Sequence, residues 1–136
     1  KVFKQLNGII YLVRGNHDKD KNINSPYLNH RFTWMKDYHE LSVQNKIIET
    51  KKQSQKIILC HFPIESWHGK HKGWWHLHGH SHGSLPENPH CLFRADVGVD
   101  IWNYSPVSFE ELYKYFKIKE KRYIKEGKYT LGKKRE

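Results

Sequence analysis

Apolar residues fall in short β-branched and aromatic runs along this chain, each ending in a polar loop, several of them marked by glycine. Ile9-Ile10-Tyr11-Leu12-Val13 is unbroken, too short for an ordinary helix, and stops at Arg14-Gly15-Asn16, the pattern of a buried strand entering a turn. Ser25-Pro26 offers an N-cap with proline in the first turn. Leu28, Phe32 and Met35 then recur at helical spacing, with Trp34 and Tyr38 widening the stripe, so a helix is expected over residues 26–38. Strand-like segments follow over 41–50 and 55–60, parted by Lys51-Lys52-Gln53-Ser54, and the second closes on Ile57-Ile58-Leu59-Cys60 directly before His61.

A loop punctuated by Pro63, Gly69 and Gly73 leads to Trp74-Trp75-His76-Leu77-His78, a third strand that delivers Gly79-His80-Ser81-His82. A strand is expected over 92–100. Ser108-Phe109-Glu110-Glu111 then matches a capping box opening a helix through residue 119, with Leu112, Tyr115 and Phe116 on its apolar side. Beyond it, Gly127 and Gly132 mark a surface extension in which Tyr123, Ile124, Tyr129 and Leu131 offer a short hairpin as an alternative. The 136 residues suit one domain of the α/β class.

Three polar motifs thus follow three strands in order: Gly15-Asn16-His17-Asp18, His61, and Gly79-His80-Ser81-His82. Sheets of this class place reacting groups in the loops beyond their strands' carboxyl ends, where residues distant in sequence converge. Imidazole nitrogen with amide or carboxylate oxygen suits Zn, Mn, Fe or Ni better than the all-oxygen sites of Ca or Mg. Asn16, His61, His80 and His82 are therefore the candidate metal ligands. His80 and His82 would point to opposite faces of an extended segment, but Gly79 and Gly83 bracket them and imply a turn that brings both to a metal.

Charge adds less than its total suggests. The formal net charge is +10, which favours anionic partners such as phosphate esters or nucleic acid, yet residues 117–136 hold nine basic against three acidic residues and so carry six of those ten charges. His68, Lys70, His71 and Lys72 form a smaller cationic group in the loop between His61 and Trp74, able to steer a phosphate or simply to be solvated. Trp67, Trp74 and Trp75 read as core or interface packing, with base stacking the alternative. Cys60 and Cys91 form no C-x-x-C pair, no charged-then-apolar leader opens the chain, and no apolar stretch is long enough to span a membrane, so a soluble cytoplasmic protein is expected.

The combination of G-N-H-D, a single His and G-H-x-H resembles the calcineurin-like metallophosphoesterases, in particular their small bacterial and phage members. Leu6-Asn7-Gly8 before the first strand supports the likeness, as does Val97-Gly98-Val99-Asp100-Ile101-Trp102-Asn103-Tyr104 with Pro106-Val107 after the last motif. The resemblance covers roughly residues 5–112. It implies a metallophosphoesterase-type β-sandwich flanked by helices and a two-metal hydrolase of phosphomonoesters or phosphodiesters. Asn16, His61 and His80 would bind one divalent ion and His82 the other, with Mn the first candidate and Zn, Fe or Ni the others. A hydroxide bridging the ions would attack phosphorus. His17 would protonate the leaving oxygen, and Asp18 would orient the His17 ring, imidazole being suited to proton exchange near neutral pH.

The family's pattern begins with D-x-H and G-D-x-x-D, and neither precedes Gly15. The resemblance therefore implies that residues 1–116 are the carboxyl-terminal portion of such a domain, lacking its N-terminal strands, with 117–136 a basic extension. A missing N-terminal segment or a complementary chain would supply the remaining ligands. Two other readings use the same residues. One is a non-catalytic nucleic-acid-binding module that employs the basic extension on a decayed phosphoesterase scaffold. The other is a fold in which Asn16, His61 and His80 hold one structural ion.

Overall fold

The unbroken apolar run after Gly8 forms strand β1, Ile10–Val13, in the computed structural model, which describes residues 5–19 and 30–130. β1 pairs in parallel with β2, Phe32–Lys36, as a two-stranded sheet. The helix expected over 26–38 is therefore a strand in its second half; Ser25, Pro26 and Leu28 lie outside the described residues. The same residues explain the difference. Phe32 and Trp34 also alternate at strand spacing, and pairing with Ile10 and Tyr11 satisfies both backbones while Phe32 becomes buried.

Past Asp37 the chain enters a four-stranded sheet of order β3-β4-β5-β6, with β3 Tyr38–Gln44, β4 Ser54–Cys60, β5 Trp75–His78 and β6 Arg94–Asp96. β3 runs antiparallel to β4, whereas β4, β5 and β6 are mutually parallel and send their carboxyl ends to one edge. The strand expected over 41–50 stops early because Asn45 makes an Asx turn, its Oδ1 accepting from Ile47 N at 3.0 Å. The strand expected over 92–100 is cut to β6 because Gly98 leads into a 3-10 turn at Val99–Ile101.

Helix α1, Phe109–Lys125, opens with the expected capping box: Ser108 Oγ accepts from Glu111 N at 3.2 Å and Ser108 N donates to Glu111 Oε2 at 2.8 Å. Its Leu112 and Phe116 pack on Ile57, Trp75, Leu77 and Ala95 from one face of the sheet. The opposite face buries Ile58 against Trp67 and Cys91, so Trp67 and Trp75 are core residues as expected.

α1 continues beyond residue 119, burying Lys119 and Tyr123, so Tyr123 and Ile124 are helical and do not form a hairpin; Leu131 lies outside the described residues. Much of the basic charge there is paired, Lys117 with Glu49, Arg122 with Glu87 and Lys128 with Glu126. Gly127, at φ 67°, supplies the left-handed residue that ends the helix. No described helix is long and apolar enough to cross a membrane.

Candidate metal centre

The three motifs sit just past the carboxyl ends of β1, β4 and β5. Parallel pairing of β4 and β5 makes two of them neighbours, and Gly79 N donates to His61 O at 3.0 Å. The first motif arrives from the other sheet. Gly15 permits that approach, because a Cβ there would lie 2.8 Å from the His61 ring.

The outcome is a convergence on one atom. Asn16 Oδ1 accepts from His61 Nε2 at 2.7 Å and from His80 Nδ1 at 3.2 Å. The two imidazoles lie 5.2 Å apart, and Phe62 stands edge-on to both at 5.0 and 4.8 Å. Burial, reinforced by the neighbouring His80, holds His61 below the ordinary histidine value and keeps its ring neutral, the form that binds metal. Once the two ring nitrogens that now donate to Asn16 present lone pairs instead, two imidazole nitrogens and an amide oxygen are a fitting donor set for one divalent ion. Among the described residues no group of three His, Cys, Asp or Glu side chains stands ready for an ion; an ion bound here would need the Asn16 oxygen as its third donor.

The Gly79-His80-Ser81-His82 loop is tighter than its glycines suggest. His80 and His82 themselves adopt left-handed backbone at φ 67° and 48°, followed by Gly83 at 70°, whereas Gly79 does not. Non-glycine residues hold that conformation only where their surroundings impose it. Asp96, at the end of β6, does so: Oδ2 accepts from Ser81 Oγ at 2.7 Å and Gly83 N at 3.1 Å, while Oδ1 accepts from Gly98 N at 2.9 Å. Burial opposes the charge, but these hydrogen bonds outweigh it and hold Asp96 below the ordinary carboxylate value.

The remaining candidates stand apart from this convergence. His82 pairs through Nδ1 with Asp100 Oδ2 at 2.6 Å, which raises its pKa above the ordinary histidine value, and no hydrogen bond joins it to Asn16, His61 or His80. His17 is exposed beside the centre, near enough for its charge to bear on His61. Asp18 caps its own loop, accepting from Gly15 N at 2.8 Å, and among the described residues no hydrogen bond links it to His17. In the cationic loop, His68 is taken by Glu40 at 2.7 Å and Lys70 by the Glu65 carbonyl at 2.7 Å.

Asp96 and Asp100 carry no motif of their own, and only the second lies in the stretch that prompted the family resemblance. One D-x-H triplet, Asp37-Tyr38-His39, stands after Gly15 rather than before it, where reading in family order does not pick it out. Its side chains are engaged elsewhere: Asp37 accepts from Arg14 Nε and Nη2 at 2.9 and 2.8 Å, and His39 Nδ1 accepts from Lys36 Nζ at 3.2 Å. No family model, curated protein or solved structure matches the chain.

Proposed function

We propose that the protein is a metal-dependent phosphoester hydrolase of the calcineurin-like metallophosphoesterase type, built on that family's sandwich architecture and working in the cytoplasm. The observation that carries the reading is the meeting of His61 and His80 on Asn16 Oδ1, at 2.7 and 3.2 Å, from three motifs in the family's order. The free thiols of Cys60 and Cys91 accord with a reducing compartment.

In this reading Asn16, His61 and His80 hold one divalent ion, and His82, oriented by Asp100, serves a second. Bound Mn, or Zn, Fe or Ni, supplies Lewis acidity and charge neutralisation toward a phosphate ester. His17, exposed beside the centre, donates the proton to the leaving oxygen. Asp18 keeps the loop closed through Gly15 N, so its part is to fix the position of Asn16 and His17. The nucleic-acid reading draws less support, since Lys117, Arg122 and Lys128 are already ion-paired.

The test is Mn-stimulated hydrolysis of p-nitrophenyl phosphate and bis(p-nitrophenyl) phosphate. Activity should collapse in His17→Ala and in His61→Ala; wild-type turnover in both variants overturns the mechanism.

A further inference from the structure

β6 is the last strand of its sheet, and beside it a cavity of about 330 Å³ opens under the 79–83 loop and against α1. Leu85, Trp102 and Tyr115 give it apolar walls, and four charged residues line it: Glu87, Arg94, Asp96 and Lys119.

The two acids are satisfied within the protein. Asp96 receives three hydrogen bonds, from Ser81, Gly83 and Gly98, and Glu87 pairs with the Arg122 guanidinium. The two cations have no such balance. Lys119 is only 6 % exposed, yet its ammonium donates just to the Arg94 carbonyl, at 3.2 Å. Arg94 Nη1 in turn donates to the Ile64 carbonyl at 3.1 Å. Neither cation has a carboxylate within ion-pair distance among the described residues. Burial pulls the Lys119 ammonium down to about 8; Glu87 pulls the other way without pairing with it, and the Tyr115 and Tyr123 rings lie 5.6 and 5.8 Å from it. A buried charge of that kind is stabilised by whatever supplies the opposite charge.

We propose that this cavity binds a small organic carboxylate, anchored by Lys119 with Arg94 beside it, its apolar body against Leu85, Trp102 and Tyr115. The donor count selects the head group. An ammonium has three N–H bonds, and with one given to Arg94 O, two remain for the two oxygens of a carboxylate. A phosphate monoester brings about twice the negative charge beside the Glu87 and Asp96 carboxylates of the same lining, so a monoanionic head group is the better match. The site does not depend on the hydrolase reading, although Ser81 and Asp96 in its lining also hold the loop that carries His80 and His82.

Calorimetric titration of the metal-free full chain with benzoate, and with benzamide as the uncharged isostere, tests the proposal. One equivalent of benzoate should bind at millimolar concentration and benzamide should not. Lys119→Gln should weaken benzoate at least tenfold, whereas Lys125→Gln on the same helix leaves it unchanged. Leu85→Trp fills the cavity from its exposed lip, where the core is not disturbed, and should abolish binding even if Lys119→Gln fails to fold. His61→Ala should leave benzoate binding intact, which separates this site from the candidate metal centre. No benzoate binding, equal binding of benzamide, binding that survives Leu85→Trp, or binding lost in a folded His61→Ala overturns the assignment.

Discussion

The Nε2 nitrogen of His61 and the side-chain oxygen of Asn16 meet at 2.7 Å, although 45 residues separate them along the chain. One residue follows a strand of the two-stranded sheet and the other a strand of the four-stranded sheet. Their contact ties the two sheets together at the candidate centre, and anything that alters the spacing between the loops acts on the proposed metal ligands.

Gly15→Ala is the most economical such change. The added methyl would lie 2.8 Å from His61 Nδ1 and Cε1, so the ring must move. Metal affinity should fall about 10–100-fold, as when an orienting partner of a ligand is lost. Gly79→Ala is the matched control, since its Cβ would lie at an ordinary 3.6 Å from the same ring. Metal titration of both variants should separate them clearly; equal affinities would refute the steric account.

Asp96→Ala removes the acceptor for Ser81, Gly83 and Gly98 together. Urea unfolding at neutral pH should show a loss of about 1.5–3 kcal/mol, the range for hydrogen bonds to a charged group, and metal binding should weaken as the His80 loop relaxes. The sign of the pH effect follows from the lowered carboxyl pKa. The contribution is full above the ordinary carboxylate range and is lost as pH falls through the folded value. Asp96→Asn should flatten that acid-side slope, and an unchanged slope would exclude Asp96 as its source.

His76 contributes to a second pH window, alongside His78, whose burial also lowers its pKa. The His76 ring is fully buried, Ile64 N donates to its Nε2 at 2.9 Å, and its Nδ1 donates to Ile58 O at 3.2 Å, which fixes the neutral tautomer. Burial lowers its pKa from 6.5 to about 4. The unfolded chain therefore takes up the proton first, so stability is full above about 6.5 and declines as pH drops toward about 4. Thermal melts between pH 7 and 4 should show this decline in the wild type. His76→Leu should start less stable, because Ile64 N loses its acceptor, but should decline less over that interval; an identical decline would assign the effect to other groups.

The parts of the fold written in local pattern were legible in the sequence. Short apolar runs ending in polar loops gave β1, β4 and β5 with their motifs at the ends, and the Ser108–Glu111 box gave the start of α1. Phe32 and Met35 were ambiguous because their spacing fits both periods, and pairing with β1, a non-local event, decided for the strand. Lys119 reads as the last residue of the helix, yet the helix continues to Lys125 and buries Lys119 along the way. Asp96 and Asp100 were invisible as site residues because their part depends on what the 79–83 loop brings to them. Asp37-Tyr38-His39 shows the converse, a motif whose side chains are bonded to Arg14 and Lys36 instead of to the centre.

The central claim is that Asn16, His61 and His80 form one metal site, and titration with Co(II), followed by its visible ligand-field bands, tests it most directly. The first, high-affinity equivalent should bind in the wild type and in His82→Ala, which affects only the second ion, and that equivalent should be lost in Asn16→Ala, His61→Ala and His80→Ala. Wild-type Co(II) binding retained in all three of those variants would contradict the account.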